Sequence, residues 1–251
     1  MHKALRGTRP LVFAHRGGAK IGPENTLVAF DRGLAAGADG LELDVHLSKD
    51  GEVVVIHDRT VDRTTDGRGP VARHTADELA RMNVLGSGSG VPTLRQVLAR
   101  YPEQPIIVEM KRSSAALAHA VVDVVREARA IDRVSLGSFH VVPLKAACTY
   151  EPRLPTGSAT PETRLALYAS YVGISPFWAS YRSFQVPERT RGTRVVSQRF
   201  IRLAHAAGIV VQVWTVDDPA DMTRLLGWGV DAVISDRPDV AANAVRSFAA
   251  L

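Results

Sequence analysis

Cysteine is almost missing from this chain: Cys148 is the only one in 251 residues. No intramolecular disulfide can form, so stability has to come from a packed core. Cys148 follows Leu144-Lys145-Ala146-Ala147, a helical-looking stretch with no obvious base beside it. It reads as a packed thiol and not a nucleophile. Long apolar runs are missing as well. No stretch approaches the roughly 18 apolar residues of a membrane span. The segment from Met1 to Pro10 is basic but has no apolar run of signal-peptide length. These absences predict a soluble, cytoplasmic protein. No Pro- or Ser-rich linker, internal repeat or low-complexity tract interrupts the chain, so one domain over 1–251 is expected. A basic stripe with interleaved aromatics is also lacking, which argues against a nucleic-acid partner. The net charge of +5 comes from Lys and Arg that look scattered along the chain. That surplus fits attraction of anionic substrates or membrane surfaces, or simply an arginine-rich proteome. Nothing in the sequence sets an oligomeric state.

What is present is a globular composition, 45% hydrophobic and 23% charged, with apolar β-branched runs alternating with amphipathic ones. Strands are predicted over 11–14, 40–47, 53–57, 106–110, 134–138, 154–157, 172–174, 209–216 and 232–235. Helices are predicted over 26–36, 75–82, 93–100, 115–130, 141–150, 161–169, 197–207, 219–228 and 240–250. Such alternation specifies βα units and a parallel sheet. The expected fold is α/β, a (β/α)8 TIM-type barrel with a β-hairpin excursion from Gly40 to His57. Nine strands exceed the eight of a closed barrel, so at least one is superfluous or decorative. The stretch 170–195 is the least legible and could hide a strand such as 184–186. Only five residues separate 40–47 from 53–57, too few for a parallel crossover, so these two strands should form a hairpin. Asp50-Gly51 is a two-residue turn signal. With that pair at the turn's centre, Asp44 would face His57 directly, Cβ atoms about 5 Å apart.

Ionisable residues gather at the ends of the predicted strands: His15-Arg16-Gly17-Gly18, Glu42-Leu43-Asp44, His57-Asp58 and Glu109-Met110-Lys111. A site at one rim of a barrel has this pattern. Residues two apart share a strand face, so Glu42 points with Asp44 and Glu109 with Lys111. Glu42, Asp44 and Glu109 offer oxygen ligands only, which favours one divalent cation, Mg2+ or Ca2+. A nitrogen from His57 would tilt the choice toward Mn2+ or Zn2+. Alternatively these carboxylates form buried ion pairs with Arg16 and Lys111, though three acids exceed two bases. His15 and His57 are candidates for general acid and base, since imidazole exchanges protons near neutral pH. Arg16 offers a planar fork for phosphate oxygens, and Lys111 adds a point charge. Trp214 shares a strand face with Gln212 and either floors a substrate pocket or packs in the core. Pro23-Glu24-Asn25-Thr26 reads as a loop entering a helix, with Asn25 or Thr26 as N-cap. His46 is expected to be structural, and Asp236 a loop or cap residue and not a metal ligand.

His-Arg-Gly, then Gly22-Pro23-Glu24-Asn25-Thr26, Glu-Leu-Asp-Val and His-Asp, together resemble the glycerophosphodiester phosphodiesterase family, of the phosphatidylinositol phospholipase C-like superfamily. The resemblance continues through Glu109-Met110-Lys111, Val213-Trp214-Thr215-Val216 and Ile234-Ser235-Asp236-Arg237-Pro238. It implies a metal-dependent hydrolase that splits a small glycerophosphodiester into an alcohol and glycerol 3-phosphate. In that reading His15 and His57 are acid and base, Arg16 and Lys111 bind phosphate, and Glu42, Asp44 and Glu109 hold the metal. Attack by the substrate's own neighbouring hydroxyl, through a cyclic phosphate that water then opens, is also implied, and the sequence does not separate that route from direct attack by water. A lysophospholipase D is the alternative, to which aromatics between Tyr168 and Phe184 would suit, with transient contact at a lipid surface. A barrel that binds phosphodiesters without turnover is the non-enzymatic alternative.

Overall fold

The computed structural model describes residues 2–249. Ten strands, nine α-helices and one 3-10 helix, Val71–Arg73, lie among those residues. The strands are β1 (Leu11–His15), β2 (Gly40–Leu47), β3 (Val53–Val55), β4 (Ile106–Met110), β5 (Val134–Gly137), β6 (Ser183–Pro187), β7 (Arg189–Thr190), β8 (Thr193–Arg194), β9 (Val210–Trp214) and β10 (Ala232–Ser235). The helices are α1 (Leu27–Ala35), α2 (Ala76–Arg81), α3 (Leu94–Arg100), α4 (Ala115–Glu127), α5 (Val141–Tyr150), α6 (Thr160–Tyr171), α7 (Gln198–Ala206), α8 (Pro219–Trp228) and α9 (Pro238–Ala249). The predicted helix over 240–250 starts two residues earlier, and its last residue lies outside the described ones.

Seven parallel strands run in the order β5-β4-β2-β1-β10-β9-β6. The ring is completed by residues 156–157. Thr156 bridges to Leu136 of β5 and Gly157 to Ser183 of β6, both in parallel sense. This is the α/β TIM-type barrel that the alternation predicts. The superfluous strand is 172–174, which forms the turn that ends α6: the N–H of Val172 bonds to Ala169 O and that of Gly173 to Ser170 O. The stave belongs instead to Ser183–Pro187, around the 184–186 run.

Period-2 alternation sorts each strand into an inner and an outer face. Leu11, Phe13, Ile107, Ala232 and Ile234 fill the barrel's interior together with Trp214. Outer-facing residues such as Leu41, Val108, Val211 and Val233 pack beneath the helices in two large clusters. Gln185 crosses the interior so closely that a Cβ on Gly137 or Gly157 would lie within 3 Å of its Oε1. Its Nε2 donates to Gln212, whose own Nε2 donates to the carbonyl of Ala4, a fully buried residue of the N-terminal segment. Gln212 therefore belongs to the interior hydrogen-bond chain and not to a substrate pocket.

The excursion after β2 is a hairpin, as expected, but its register differs by one residue. Val45 pairs with Val55, His46 with Val54 and Leu47 with Val53. Asp50-Gly51 is not the centre of a two-residue turn. Lys49, Asp50 and Gly51 form a three-residue loop, with Gly51 at φ +84° and the Ser48 hydroxyl bonded to Asp50. Asp44 consequently faces Ile56, whose N–H donates to the Asp44 carbonyl at 2.9 Å. Beyond β3 the excursion continues to residue 93 and closes its own small core, which includes Ile56, Val61, Leu79 and Val91.

Candidate active site

Parallel pairing, more than proximity in sequence, assembles the site. β1 pairs with β2 so that His15 lies beside Glu42, and β2 with β4 so that Asp44 lies beside Glu109. All four are inner-face positions, and the pairing sets Glu42 and Asp44, within β2, level with the carboxyl ends of β1 and β4. One oxygen from each of Glu42, Asp44 and Glu109 lies within 4.8 Å of the others. His57 reaches the same cleft despite the shifted register, because the ladder ends at Val55 and the chain turns inward. His46, a structural residue as expected, fixes that turn: its Nε2 lies 3.0 Å from the His57 carbonyl.

After His15 the chain bends through three left-handed residues, Arg16, Gly17 and Gly18. Gly17 is required there, since a Cβ would come within 2.7 Å of the Ala29 backbone. The bend aims the Arg16 N–H at Glu42 Oε2, 3.1 Å away. The Arg16 guanidinium donates to Glu24 at 3.2 Å. Its Nε sits 3.2 Å from Asp44 Oδ2 in poor alignment and is left buried without a hydrogen bond. Thr26 caps α1, which frees Asn25 to donate to Asp44 Oδ2 at 2.9 Å. Lys111 Nζ donates to Glu109 at 2.9 Å and stands 3.3 Å from Asp44.

Each candidate imidazole is tied to a carboxylate. His15 Nδ1 lies 2.6 Å from Asp236, and His57 Nδ1 lies 2.6 Å from Asp58. A carboxylate at Nδ1 orients the ring and leaves Nε2 for chemistry. Asp236 is thus a partner of His15, where the sequence suggests only a loop or cap residue. Asp58 is held by Arg63, which also binds Glu24 through two further hydrogen bonds of 2.8 Å. Arg63 lies in no motif, and Glu24 lies in the Gly22–Thr26 motif that reads only as a loop entering a helix. Asp236 could be placed only from the strand order, since β10 pairs with β1 and sets Ser235 beside Ala14.

The charges are unevenly matched. Burial and the adjacent Asp44 push the Glu42 carboxyl up to about 8. Burial and Asp44 raise Glu109 too. Asp44 is buried as deeply, but Lys111 and Arg16 outweigh that cost and hold it below the ordinary carboxylate range. Burial opposes the His15 imidazolium, yet the bond to Asp236 and the charge of Glu42 raise its pKa. Three carboxylates face two fixed cations, and burial biases both Glu42 and Glu109 toward their neutral forms. A hard cation among these oxygen donors would favour their charged forms. The acidic cluster therefore fits a metal ion on its own chemistry.

The surrounding cleft has a volume of about 800 Å3. Its wall includes all of His15, Arg16, Glu42, Asp44, His57, Glu109, Lys111 and Trp214. Trp214 meets the edge of Phe139 at 5.7 Å, lines the cleft and also packs on the interior core. Lys111 Nζ lies 5.7 Å from the Phe139 ring centre. No helix among the described residues is long and apolar enough to cross a membrane.

Fold and site together define a barrel hydrolase whose rim is built for an anionic ester. The profile of the Glycerophosphoryl diester phosphodiesterase family matches residues 15–240, and the chain belongs to that family. A glycerophosphodiester phosphodiesterase of Caldanaerobacter subterraneus subsp. tengcongensis is 33% identical over 95% of this chain and 98% of its own. The crystal structure of an Agrobacterium tumefaciens glycerophosphodiester phosphodiesterase superimposes with a TM-score of 0.78 at 28% identity, covering 95% and 99% of the two chains. A phosphodiesterase of Oleispira antarctica, solved with the product sn-glycerol-3-phosphate, gives a TM-score of 0.80 at 26% identity over 95% and 97%. The protein is a phosphodiesterase.

Proposed function

We propose that this enzyme hydrolyses glycerophosphodiesters to an alcohol and glycerol 3-phosphate, using a divalent cation and two histidines. The observation that carries the reading is the pair of imidazole–carboxylate dyads, His15–Asp236 and His57–Asp58, flanking the carboxylate cluster in one cleft. Glu42, Asp44 and Glu109 would hold the cation, and their all-oxygen set favours Mg2+ or Ca2+. When bound, it supplies positive charge to the phosphoryl oxygens. Arg16, with its unpaired Nε, and Lys111 take the remaining phosphate charge. One imidazole removes a proton from the attacking hydroxyl as its P–O bond forms, the hydroxyl being that of water or that of the glycerol, whose cyclic phosphate water then opens. The other gives a proton to the leaving alcohol oxygen as that P–O bond breaks. Trp214 and Phe139 form an apolar wall against which the glycerol rests.

The test is product identity. Glycerophosphocholine should yield choline and glycerol 3-phosphate, read by 31P NMR. Phosphocholine with free glycerol would mean that the opposite ester bond is cut and would overturn the reading. A second reading, lysophospholipase D with the same chemistry, is favoured by the size of the cleft and by Leu167, Val186 and Val195 in its outer wall. A kcat/KM for lysophosphatidylcholine above that for glycerophosphocholine would select it.

A further inference from the structure

The enzyme's surplus charge is not scattered. Residues 160–202 contain seven arginines, two glutamates and no lysine or aspartate, a surplus of five that equals the +5 of the whole chain. Both glutamates are occupied: Glu162 accepts the Ala159 N–H, and Glu188 is gripped at both oxygens by Arg224. Arg164, Arg191 and Arg199 have no acidic partner among the described residues. Arg164 and Arg191 line the outer part of the catalytic cleft, Arg191 at the tip of the β7–β8 hairpin.

Apolar exposure is concentrated in the same stretch. Of twelve large hydrophobic side chains exposed among the described residues, seven lie between Leu165 and Trp178. Leu165, Tyr168 and Tyr171 follow the 3–4 spacing of one face of α6, and Val172, 73% exposed, continues it. The Tyr168 and Tyr171 rings lie 6.3 Å apart and both border the cleft. Arg199 donates to the Tyr171 carbonyl at 3.0 Å, so basic and apolar groups are intermingled and not merely adjacent in sequence.

We propose that this face, α6 with the β7–β8 hairpin, docks the enzyme on an anionic lipid surface, with the mouth of the cleft against it. An exposed apolar patch marks an interaction site. Tyrosines suit the headgroup level, aliphatic side chains reach the acyl boundary, and arginines attract anionic headgroups. A second copy of the chain fits less well, because a two-fold contact would set this basic patch against the same basic patch. Docking stands apart from the hydrolytic reading, since it requires no turnover.

Vesicle flotation tests it, with protein in chelator so that hydrolysis plays no part. The probes are vesicles of phosphatidylcholine alone and of phosphatidylcholine with a minor fraction of phosphatidylglycerol. The protein should float with the anionic vesicles, remain in solution with the neutral ones, and be released by salt. The Arg164→Glu/Arg191→Glu variant should lose at least about 10-fold in partitioning. Tyr168→Ser/Tyr171→Ser should also lose partitioning while melting as a folded protein. Arg191→Glu alone, at an exposed hairpin tip, serves as the variant least able to disturb folding, and it should weaken binding measurably. Equal binding to neutral vesicles, no binding to either, or variants that bind like wild type would overturn the proposal. So would a dimer in sedimentation velocity that Tyr168→Ser/Tyr171→Ser dissolves, since the occupant would then be a second copy.

Discussion

Replacing Glu42 by Gln separates the demands of the metal from those of the fold. Glu42 is 4% exposed and points with Asp44 into the same acidic cluster. Without metal its carboxyl is pushed up to about 8, by burial first and Asp44 second. The folded chain therefore keeps a proton that the unfolded chain gives up near its ordinary pKa of 4.5. Stability from this group is full below that ordinary value and is lost as pH rises through the folded one. Each unit of such a window is worth up to about 1.4 kcal/mol, so the loss amounts to a few kcal/mol. For a chain of this size about 1 kcal/mol moves Tm by 2–4 °C. Chelated wild type should thus lose roughly 5 °C or more between about pH 5 and 9 that the Glu42→Gln variant does not lose. Adding Mg2+ or Ca2+ should restore the wild type, by about 2.7 kcal/mol at a hundredfold excess over Kd, and the variant far less. Thermal melts over a pH series, with chelator and with cation, provide the assay. Parallel pH profiles for the two proteins, or equal stabilisation of both by the cation, would refute the reasoning.

Glu109→Gln should raise the metal concentration needed for half-maximal activity, and an unchanged metal titration would remove Glu109 from the ligand set. His15→Ala and His57→Ala should each lower kcat at least about 10²-fold while the protein still melts cooperatively; a wild-type kcat in either would exclude that residue from proton transfer. Asp236→Asn, which leaves His15 in place without its charged partner, should lower kcat more than it raises KM, and no change in kcat would make the 2.6 Å contact incidental. Arg63→Ala frees Asp58 and Glu24 together and should lower kcat roughly 10-fold, partly restored in Arg63→Lys; wild-type turnover in Arg63→Ala would show that the His57 ring needs no such support.

Residues that carry charge at the end of an apolar strand were legible, because nothing but a function tolerates them there. His15, Arg16, Glu42, Asp44, His57, Glu109, Lys111 and Trp214 all face one cleft. What the sequence conceals is everything that depends on strand order. Asp236 meets His15 only because the last strand of the barrel pairs with the first. Arg63 meets Glu24 only because the excursion folds back over the loop before α1. The hairpin register failed on one residue: Asp50-Gly51 suits a two-residue turn, but Ser48 closes a three-residue loop through Asp50 and Glu52. The stretch 172–174 looked like a strand because Val172 and Ile174 are β-branched, yet they sit exposed after α6, and the barrel takes Ser183–Pro187 instead. The arginine surplus looked scattered because its members are spaced along 43 residues, and only the fold gathers Arg164, Arg191 and Arg199 near one rim.

The central claim is that one cation in the Glu42–Asp44–Glu109 cluster works with two histidines on a glycerophosphodiester. The most direct measurement is release of glycerol 3-phosphate from glycerophosphocholine by the wild-type protein, after exhaustive chelation and then through a titration of Mg2+, Ca2+ and Mn2+. Turnover should vanish in chelator and return along a saturable curve that Glu42→Gln and Glu109→Gln displace to higher metal. Full turnover in chelator would contradict the account.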